Sequence, residues 1–479
     1  MRISVTRVAL LAGLSTAAAV ALSPAVATGA PSAQAADVDR IEKQIQDLQE
    51  EVRRLKRSDA STEELIDDKI RQAKPVAGYK PGGFFIQNQK GDYVLRIGGY
   101  FQLDGRFFPG DPQSLNPDQF LIRRARPIME GSLGSYLDFK FMPDFAGTVR
   151  IFDAYADVKP FADAKPYSDW LKIRTGKFKT PLGLERLQSA TVLPLVERGA
   201  PTNLVPTRGL GAELFGSYLG GVFGYELGAF DQAPDLSNVD GQLFDDFNFI
   251  GRVFSQPFVT TDVWWLQNLS LAMAGSYGME QGSFSTTNLP TYRSFGQSAI
   301  FSYVVGPDRA TTAIADGIAS RWNPQASWYV GPFGVEAEYV SSRTPVTLDD
   351  VSETLDNRAW VVTASWALTG EPESWRGVGP LQAFEPWTNR WTGHWGAVEL
   401  VARVDALKID PNAFEKKFVD PNKSIRKDFG FGGGLNWIWS RNVKLALDYY
   451  HTDFQGGQKG GTYNRPTEDA VIGRVQFAL

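Results

Sequence analysis

The chain has 479 residues, of which 43% are hydrophobic, 13% aromatic and 22% charged, with two His and no Cys. This composition excludes a disordered, collagen-like or disulfide-stapled protein. The lack of Cys also excludes iron–sulfur and thiol chemistry, and we predict neither a cofactor nor a metal site. The formal net charge of −5 argues against a nucleic-acid partner, because neutralising phosphates needs a net basic surface.

The first 35 residues have the pattern of an export signal. Arg2 and Arg7 precede an apolar run from Val8 to Leu22, and Ala33-Gln34-Ala35 forms a small-x-small cleavage pattern. We predict that residues 1–35 are a signal peptide that is removed on export. The alternative is an uncleaved membrane anchor, but the run is shorter than the ~20 residues that a spanning helix needs.

Residues 36–73 are highly charged and carry a heptad of apolar residues. Spacings of three and four alternate along this seam, which consists of Val38, Ile41, Ile45, Leu48, Val52 and Leu55. The pattern predicts a coiled-coil helix that associates with copies of itself. The alternative is a single amphipathic helix that packs on its own domain. Residues 74–82, which contain Pro and Gly, predict a linker after the helix.

From residue 83 to residue 479 the hydrophobic period changes to 2, which is typical of β-strands. Between Tyr93 and Phe107, apolar residues and Gly occupy one face and polar residues occupy the other. The same split recurs in Leu137–Phe141, Phe333–Tyr339 and Val398–Ala406. Later in the chain no run reaches 18 consecutive apolar residues, so a membrane-embedded protein would have to cross as strands.

Three features favour an outer-membrane barrel over a soluble β-sandwich, which also alternates. The strands run about ten residues, the polar faces carry charges of both signs, and short turns such as Ser440-Arg441-Asn442 contrast with long polar segments. At ~25 residues per strand and connection, we predict an all-β, transmembrane antiparallel β-barrel of about 16 strands, wide enough for an aqueous channel.

Several motifs carry a resemblance to a known family. They are Phe120–Arg126 with Glu130-Gly131, Ile151–Asp157, Ile173–Glu185, Glu197-Arg198, Arg208–Gly211 and Gly434–Trp437. On these motifs the chain resembles the phosphate-selective porins O and P. The resemblance implies a homotrimeric channel of 16 strands in the bacterial outer membrane, surrounded by its lipid, whose basic side chains bind and pass small anions such as phosphate or polyphosphate.

The alternation and the basic residues suggest which side chains line such a pore. Arg124 and Arg126 share the parity of Glu130, whereas Arg123 falls on the apolar parity and is expected to lie at an end, to snorkel or to mark an irregularity. The segment Lys177–Arg208 loses the period of 2 and predicts an inward-folded constriction loop. The predicted anion-binding or pore-lining residues are Arg106, Arg123, Arg124, Arg126, Lys177, Lys179, Arg186, Arg198 and Arg208.

Other functions remain as alternatives. If these charges pair with lumen acids, the protein is a general or weakly selective diffusion porin. A barrel enzyme would need a nucleophile with a base, and only His394 and His451 could serve as the base in a Ser-His scheme, so we do not predict an enzyme. The barrel could also anchor an envelope tether whose helix contacts the cell wall or a periplasmic partner.

Deleting residues 37–73 separates the tether from the channel. If the helix tethers the envelope, the deletion mutant should lose envelope integrity, measured as sensitivity to detergent, while the isolated barrel still conducts in a planar bilayer. Unchanged envelope integrity would contradict the tether hypothesis.

Overall fold

The computed structural model describes residues 40, 43–58, 61–62, 75–80, 82–109, 116–231, 247–384, 386 and 393–479. The chain divides into two units, Met1–Lys74 and Pro75–Leu479. The predicted signal peptide lies outside the described residues, as do Val38 and Ile41 of the predicted seam.

In the first unit the described residues are helical, with one continuous stretch at residues 43–58. The four seam residues described there are exposed by 48–60%: Ile45, Leu48, Val52 and Leu55. None of the helices in the described ranges is long and apolar enough to span a bilayer.

The second unit consists mainly of antiparallel strands. In chain order they are β1 (Val76–Lys80), β2 (Gly83–Gln87), β3 (Tyr93–Phe107), β4 (Gln119–Leu133), β5 (Leu137–Asp144), β6 (Arg150–Val158), β7 (Lys172–Phe178), β8 (Gly209–Tyr218), β9 (Phe223–Asp231), β10 (Phe247–Ser255), β11 (Ser270–Gln281), β12 (Tyr292–Arg293), β13 (Ala299–Phe301), β14 (Ile314–Val330), β15 (Phe333–Leu348), β16 (Val351–Ala367), β17 (Ala397–Lys408), β18 (Ile425–Ile438), β19 (Val443–Gln458), β20 (Tyr463–Asn464) and β21 (Glu468–Ala478).

Short helical turns interrupt the connections. Two are α-helical, α1 (Leu184–Leu187) and α2 (Asn412–Glu415), and the others are 3-10 turns at Tyr167–Asp169, Ala200–Asn203, Leu219–Gly221, Arg309–Thr311 and Lys459–Gly461.

Sixteen of the strands in the described part of the chain close into one barrel, which confirms the predicted fold class. Strands β3 to β11, β14 to β19 and β21 pair in sequence. The ring closes where β21 pairs with β3, with Val475 opposite Leu103. Val76–Lys80, inside the segment predicted as a linker, forms β1 and pairs with β2, which extends the sheet beside β3.

The alternation sorts side chains between the two faces of the wall as predicted. In β3, Asp104 and Arg106 are buried inside, whereas Leu103 and Phe107 are about 40% exposed outside. A closed barrel pairs the backbone polar groups between strands, as a membrane requires. Its apolar outer side chains suit contact with lipid.

A β-bulge in β4 explains the parity of Arg123. Gln102 pairs with Arg124 while the next residue, Leu103, pairs with Ile122, so Arg123 is the extra residue. Because a bulge shifts the parity by one, Arg123, Arg124 and Arg126 all reach the interior. Of the options left open by the sequence, the structure shows the local irregularity.

The connection between β7 and β8, residues 179–208, folds into the barrel, and we call it the inner loop. Its backbone N–H groups donate to inward-facing wall side chains. Gly183 donates to Asn323 Oδ1 at 2.9 Å, and Leu184, Val196 and Ala200 donate at 2.7 Å to the carboxylates of Glu338, Asp448 and Asp405, respectively. These carboxylates therefore hold the loop rather than face open lumen.

A second connection, residues 282–313 between β11 and β14, packs against the inner loop, and we call it the second loop. Leu182 and Leu204 of the inner loop join Ile300 and Phe301 of the second loop in one buried apolar cluster, which includes Leu355 of the wall. Glu468 of β21 anchors the second loop, because it accepts hydrogen bonds from Ser294 and Ser298 and from the backbone of Gly296.

The connections at the opposite end of the barrel are less uniform than predicted. Residues 134–136, 331–332 and 439–442 make short turns, but residues 368–396 form a long segment. Part of this segment packs on the wall through Phe384, whose ring lies 5.2 Å from that of Trp439.

Closure of the barrel predicts heat-modifiable migration on SDS gels. Because the ring of sixteen strands is closed, the folded barrel should resist SDS until heated, so the unheated sample should migrate ahead of the boiled one. A protein that is soluble and monomeric without detergent, and that migrates identically before and after boiling, would contradict the membrane barrel.

Candidate functional site: a basic cavity at the constriction

A cavity of about 920 Å³ lies in the barrel between the inner loop, the second loop and the wall. Eleven basic and four acidic side chains line it among the described residues, although the whole chain carries a net charge of −5. The basic residues are Arg123, Arg124, Arg126, Lys140, Arg174, Lys179, Arg186, Arg198, Arg208, Arg293 and Arg321, and the acidic ones are Asp153, Glu197, Asp231 and Glu280.

Arg126 of the wall and Arg208 at the end of the inner loop are held by carboxylates and by an aromatic ring. Arg126 donates through Nε to Asp144 Oδ2 at 2.7 Å, and Arg208 donates through Nε to Asp153 Oδ1 at 2.8 Å. Both guanidinium groups also contact the ring of Phe152, with their Cζ atoms 3.9 and 4.4 Å from its centroid. Cation–π contacts and ion pairs together fix the direction of each guanidinium toward the cavity.

Three other basic residues of the inner loop donate to carbonyl oxygens. Lys179 Nζ donates to the carbonyls of Leu187 and Gln188 at 3.0 and 2.7 Å, and Arg198 donates to those of Glu185 and Gln188 at 2.7 and 2.9 Å. A carbonyl satisfies a donor but carries no full negative charge. Arg186 likewise donates to the carbonyl of Thr202 at 2.6 Å.

This arrangement lowers the pKa of two loop cations. Burial, followed by the charges of Arg198 and Arg208, holds the pKa of Lys179 well below its ordinary value. Burial, followed by the charge of Arg186, lowers the pKa of Arg198 to about 9. In both cases burial and the neighbouring cations outweigh the nearby acids, and a bound anion would add negative charge.

Seven of the nine residues predicted from the sequence line the cavity, and two do not. Arg106 is buried behind it, donating to Asp104 at 2.8 Å and to Glu197 at 2.6 Å. Lys177 lies within β7, which continues to Phe178, and it alternates with Arg174 and Phe178, which line the cavity. Lys177 therefore belongs to the other face of the strand, because alternate residues point to opposite sides.

Other lining residues were not predicted. Arg174 forms two bonds with Asp157 at 2.7 and 2.8 Å and lies 4.2 Å from the ring centroid of Tyr155. Arg174 shares its strand parity with Phe178, and this spacing was a signal in the sequence that could have found it. Arg293 and Arg321 reach the cavity only through the packing of the second loop and β14, which no local pattern reveals.

The charged side chains of the cavity can bind an ionic ligand. Across the described ranges, no group of three or more His, Asp or Glu side chains is placed to hold a metal ion. What the site offers is a cavity bordered by guanidinium and ammonium groups, which match oxyanions in geometry and charge.

Comparison with known proteins identifies the family. The family model described as phosphate-selective porin O and P matches residues 95–245 and 305–479. The chain belongs to this family. The family consists of porins, and the barrel has the fold of outer-membrane channels, so the protein is a channel of the outer membrane.

Individual relatives are distant. Porin O of Pseudomonas aeruginosa is 22% identical over 390 residues, which cover 77% of this chain and 85% of Porin O. The crystal structure of the outer membrane channel DcaP of Acinetobacter baumannii aligns with a TM-score of 0.51 at 11% identity, covering 83% of this porin and 100% of that chain. At that identity the structural likeness shows the fold alone.

Lys179 makes the charge of the cavity sensitive to pH. A cation with a lowered pKa is fully charged below that pKa and loses its charge as the pH rises through it. Any preference for Cl⁻ over K⁺, measured as a reversal potential in a KCl gradient, should therefore fall as the pH rises, and the fall should begin well below the ordinary pKa of a lysine.

Two variants test whether Lys179 is the titrating group. Lys179→Arg should move the fall in anion preference to higher pH, because the ordinary pKa of a guanidinium lies above that of an ammonium, whereas Lys179→Met should lower the preference at low pH, where Lys179 is charged. If Lys179→Arg follows the same pH profile as the unaltered porin, Lys179 does not control the field in the cavity.

Proposed function

We propose that this porin passes small anions in preference to cations, and that phosphate-like oxyanions bind transiently in the basic cavity. The observation that carries the proposal is the set of inner-loop cations, Lys179 and Arg198 above all, that are fixed by carbonyl oxygens and whose pKa values are lowered by burial and by the repulsion of neighbouring cations. An anion among them would relieve this repulsion. The description of the matching family, phosphate-selective porin, supports the same cargo class.

The acidic character of the whole chain does not oppose this proposal. A permeating ion responds mainly to charges within about a Debye length, ~10 Å at 0.1 M salt, and low-dielectric walls focus the field further. Acidic wall residues such as Glu338 and Asp405 are occupied by backbone N–H groups of the inner loop. The charge near the ion is therefore set by the charged side chains that line the cavity, most of which are basic.

Binding and passage require a balance. The pore has to replace the hydration of the anion while holding it weakly enough for release. Guanidinium groups at several levels of the wall and the loop supply a series of partial sites, and pairing with Asp144, Asp153 and Asp157 moderates the charge of three of them.

The N-terminal region completes the proposal. We infer that residues 1–35 direct export, that residues 36–73 form a coiled coil, and that the porin is a homotrimer. The exposed seam at Ile45, Leu48, Val52 and Leu55 supports self-association of the helix, because an isolated helix gains little from such a stripe in water.

Planar-bilayer recording tests the anion proposal. The unaltered porin should prefer Cl⁻ over K⁺, and phosphate should reduce the chloride current. In the double variant Arg124→Gln and Arg198→Gln, phosphate block should weaken roughly 10- to 100-fold, since a hydrogen bond to a charged group contributes about 1.5–3 kcal/mol. The reversal potential should move toward the cation side.

Lys177→Gln is the matched control, because it removes a positive charge from the other face of β7. Its block by phosphate should equal that of the unaltered porin. If the unaltered porin prefers K⁺, or if phosphate leaves its chloride current unchanged, the phosphate proposal fails and a general diffusion porin is the better description.

A further inference from the structure

Glu197 of the inner loop lies at the meeting point of four guanidinium groups from three wall strands. Its Oε1 accepts from Arg106 at 2.6 Å and from Arg123 at 2.6 Å, and lies 3.5 Å from Arg474. Its Oε2 accepts from Arg123 at 3.1 Å and lies 4.0 Å from Arg124. The side chain is only 4% exposed.

The Glu197 carboxylate occupies the kind of position that a transported oxyanion would take. Glu197 lines the cavity together with Arg123 and Arg124, and each of its oxygens faces guanidinium nitrogens. A bidentate carboxylate presents to a guanidinium the same pair of acceptor oxygens as a phosphate. Although burial alone would raise its pKa, the charges of Arg123 and Arg106 hold the pKa of Glu197 well below its ordinary value.

The main chain around Glu197 is anchored independently of the carboxylate. The Val196 N–H donates to Asp448 at 2.7 Å, and the Val196 carbonyl accepts from Arg474 at 2.6 Å. The Glu197 carbonyl accepts from Arg403 at 2.8 Å. Neutralising the side chain therefore leaves the loop attached to the wall through these bonds.

We propose that Glu197 is a built-in counter-anion that competes with the permeating anion for Arg123 and Arg124 and so limits how tightly the pore holds it. This inference rests on the proposed anion-channel function. Without the carboxylate, these arginines would bind an oxyanion more tightly, and the anion would leave more slowly. With the carboxylate present, the arginines still attract anions from solution but bind them with low enough affinity for release, as conduction requires.

The Glu197→Gln variant tests this role, because it keeps the shape of the side chain and removes its charge. In planar bilayers phosphate should block the chloride current at concentrations about tenfold lower than in the unaltered porin, with longer blocked intervals. The reversal potential in a KCl gradient should move further toward the anion side. Heat-modifiable migration verifies that the variant folds.

Glu185→Gln is the matched control. Glu185 is another buried carboxylate of the inner loop that pairs with a wall arginine, Arg403, but neither residue lines the cavity. Because the charge of Glu185 also acts on Arg198, the phosphate block of Glu185→Gln should change, but by a smaller factor than that of Glu197→Gln. Glu197→Asp, which keeps the charge but withdraws the carboxylate from the arginines, should tighten the block by a smaller factor and serves if Glu197→Gln does not fold.

The outcomes separate this role from the proposed function. If phosphate blocks Glu197→Gln more weakly than the unaltered porin, or equally, Glu197 does not compete with the permeating anion and only anchors the loop. The same conclusion follows if Glu185→Gln changes the blocking concentration as much as Glu197→Gln does. If phosphate blocks the unaltered porin, and blocks Glu197→Gln no more tightly, only this inference fails. If phosphate blocks neither the unaltered porin nor Glu197→Gln, this inference and the proposed function both fail. If phosphate blocks only Glu197→Gln, the competition by Glu197 is supported, and the transient binding of phosphate in the unaltered porin is contradicted.

Discussion

The attachment of the inner loop to the inner wall is the constraint on which the rest of this porin depends. Wall carboxylates such as Asp405 and Asp448 accept the loop's backbone N–H groups, which would otherwise be buried without partners. An unpaired buried donor costs about 1–3 kcal/mol, so several such bonds fix the course of the loop. These wall carboxylates thereby hold the inner loop, whereas most of the charged side chains that face the cavity are basic.

A second consequence concerns the arginines themselves. Long side chains lose conformational entropy when they are held in place, and aromatic rings reduce that loss because they restrict the guanidinium before any ligand arrives. Phe152 between Arg126 and Arg208, and Tyr155 beside Arg174, provide such support. The passage is therefore prearranged for anions rather than assembled around them.

The sequence predicted the fold well because strand alternation is local. The period of 2, the strand count and the inward direction of Arg124 and Arg126 follow from the spacing of residues along the chain. Arg123 could not be placed, because a bulge in β4 shifts the parity and carries no distinct local pattern. Lys177 was misplaced for a related reason: β7 continues to Phe178, one residue beyond it. The clustering around Glu197 depends on residues more than 70 positions apart, which only the closed barrel brings together.

The apolar packing of the two loops divides the interior of the barrel. Leu195 and Phe295 pack beside β17, β19 and β21. Leu182 and Ile300 belong to a second apolar cluster with Phe178, whose ring also borders the cavity. The interior of a single barrel thus consists of a dry apolar core and a wetted, charged cavity that share part of their boundary. Evolution can alter cargo preference by changing the polar side chains of the cavity, while the core is constrained by the ordinary rules of a protein interior.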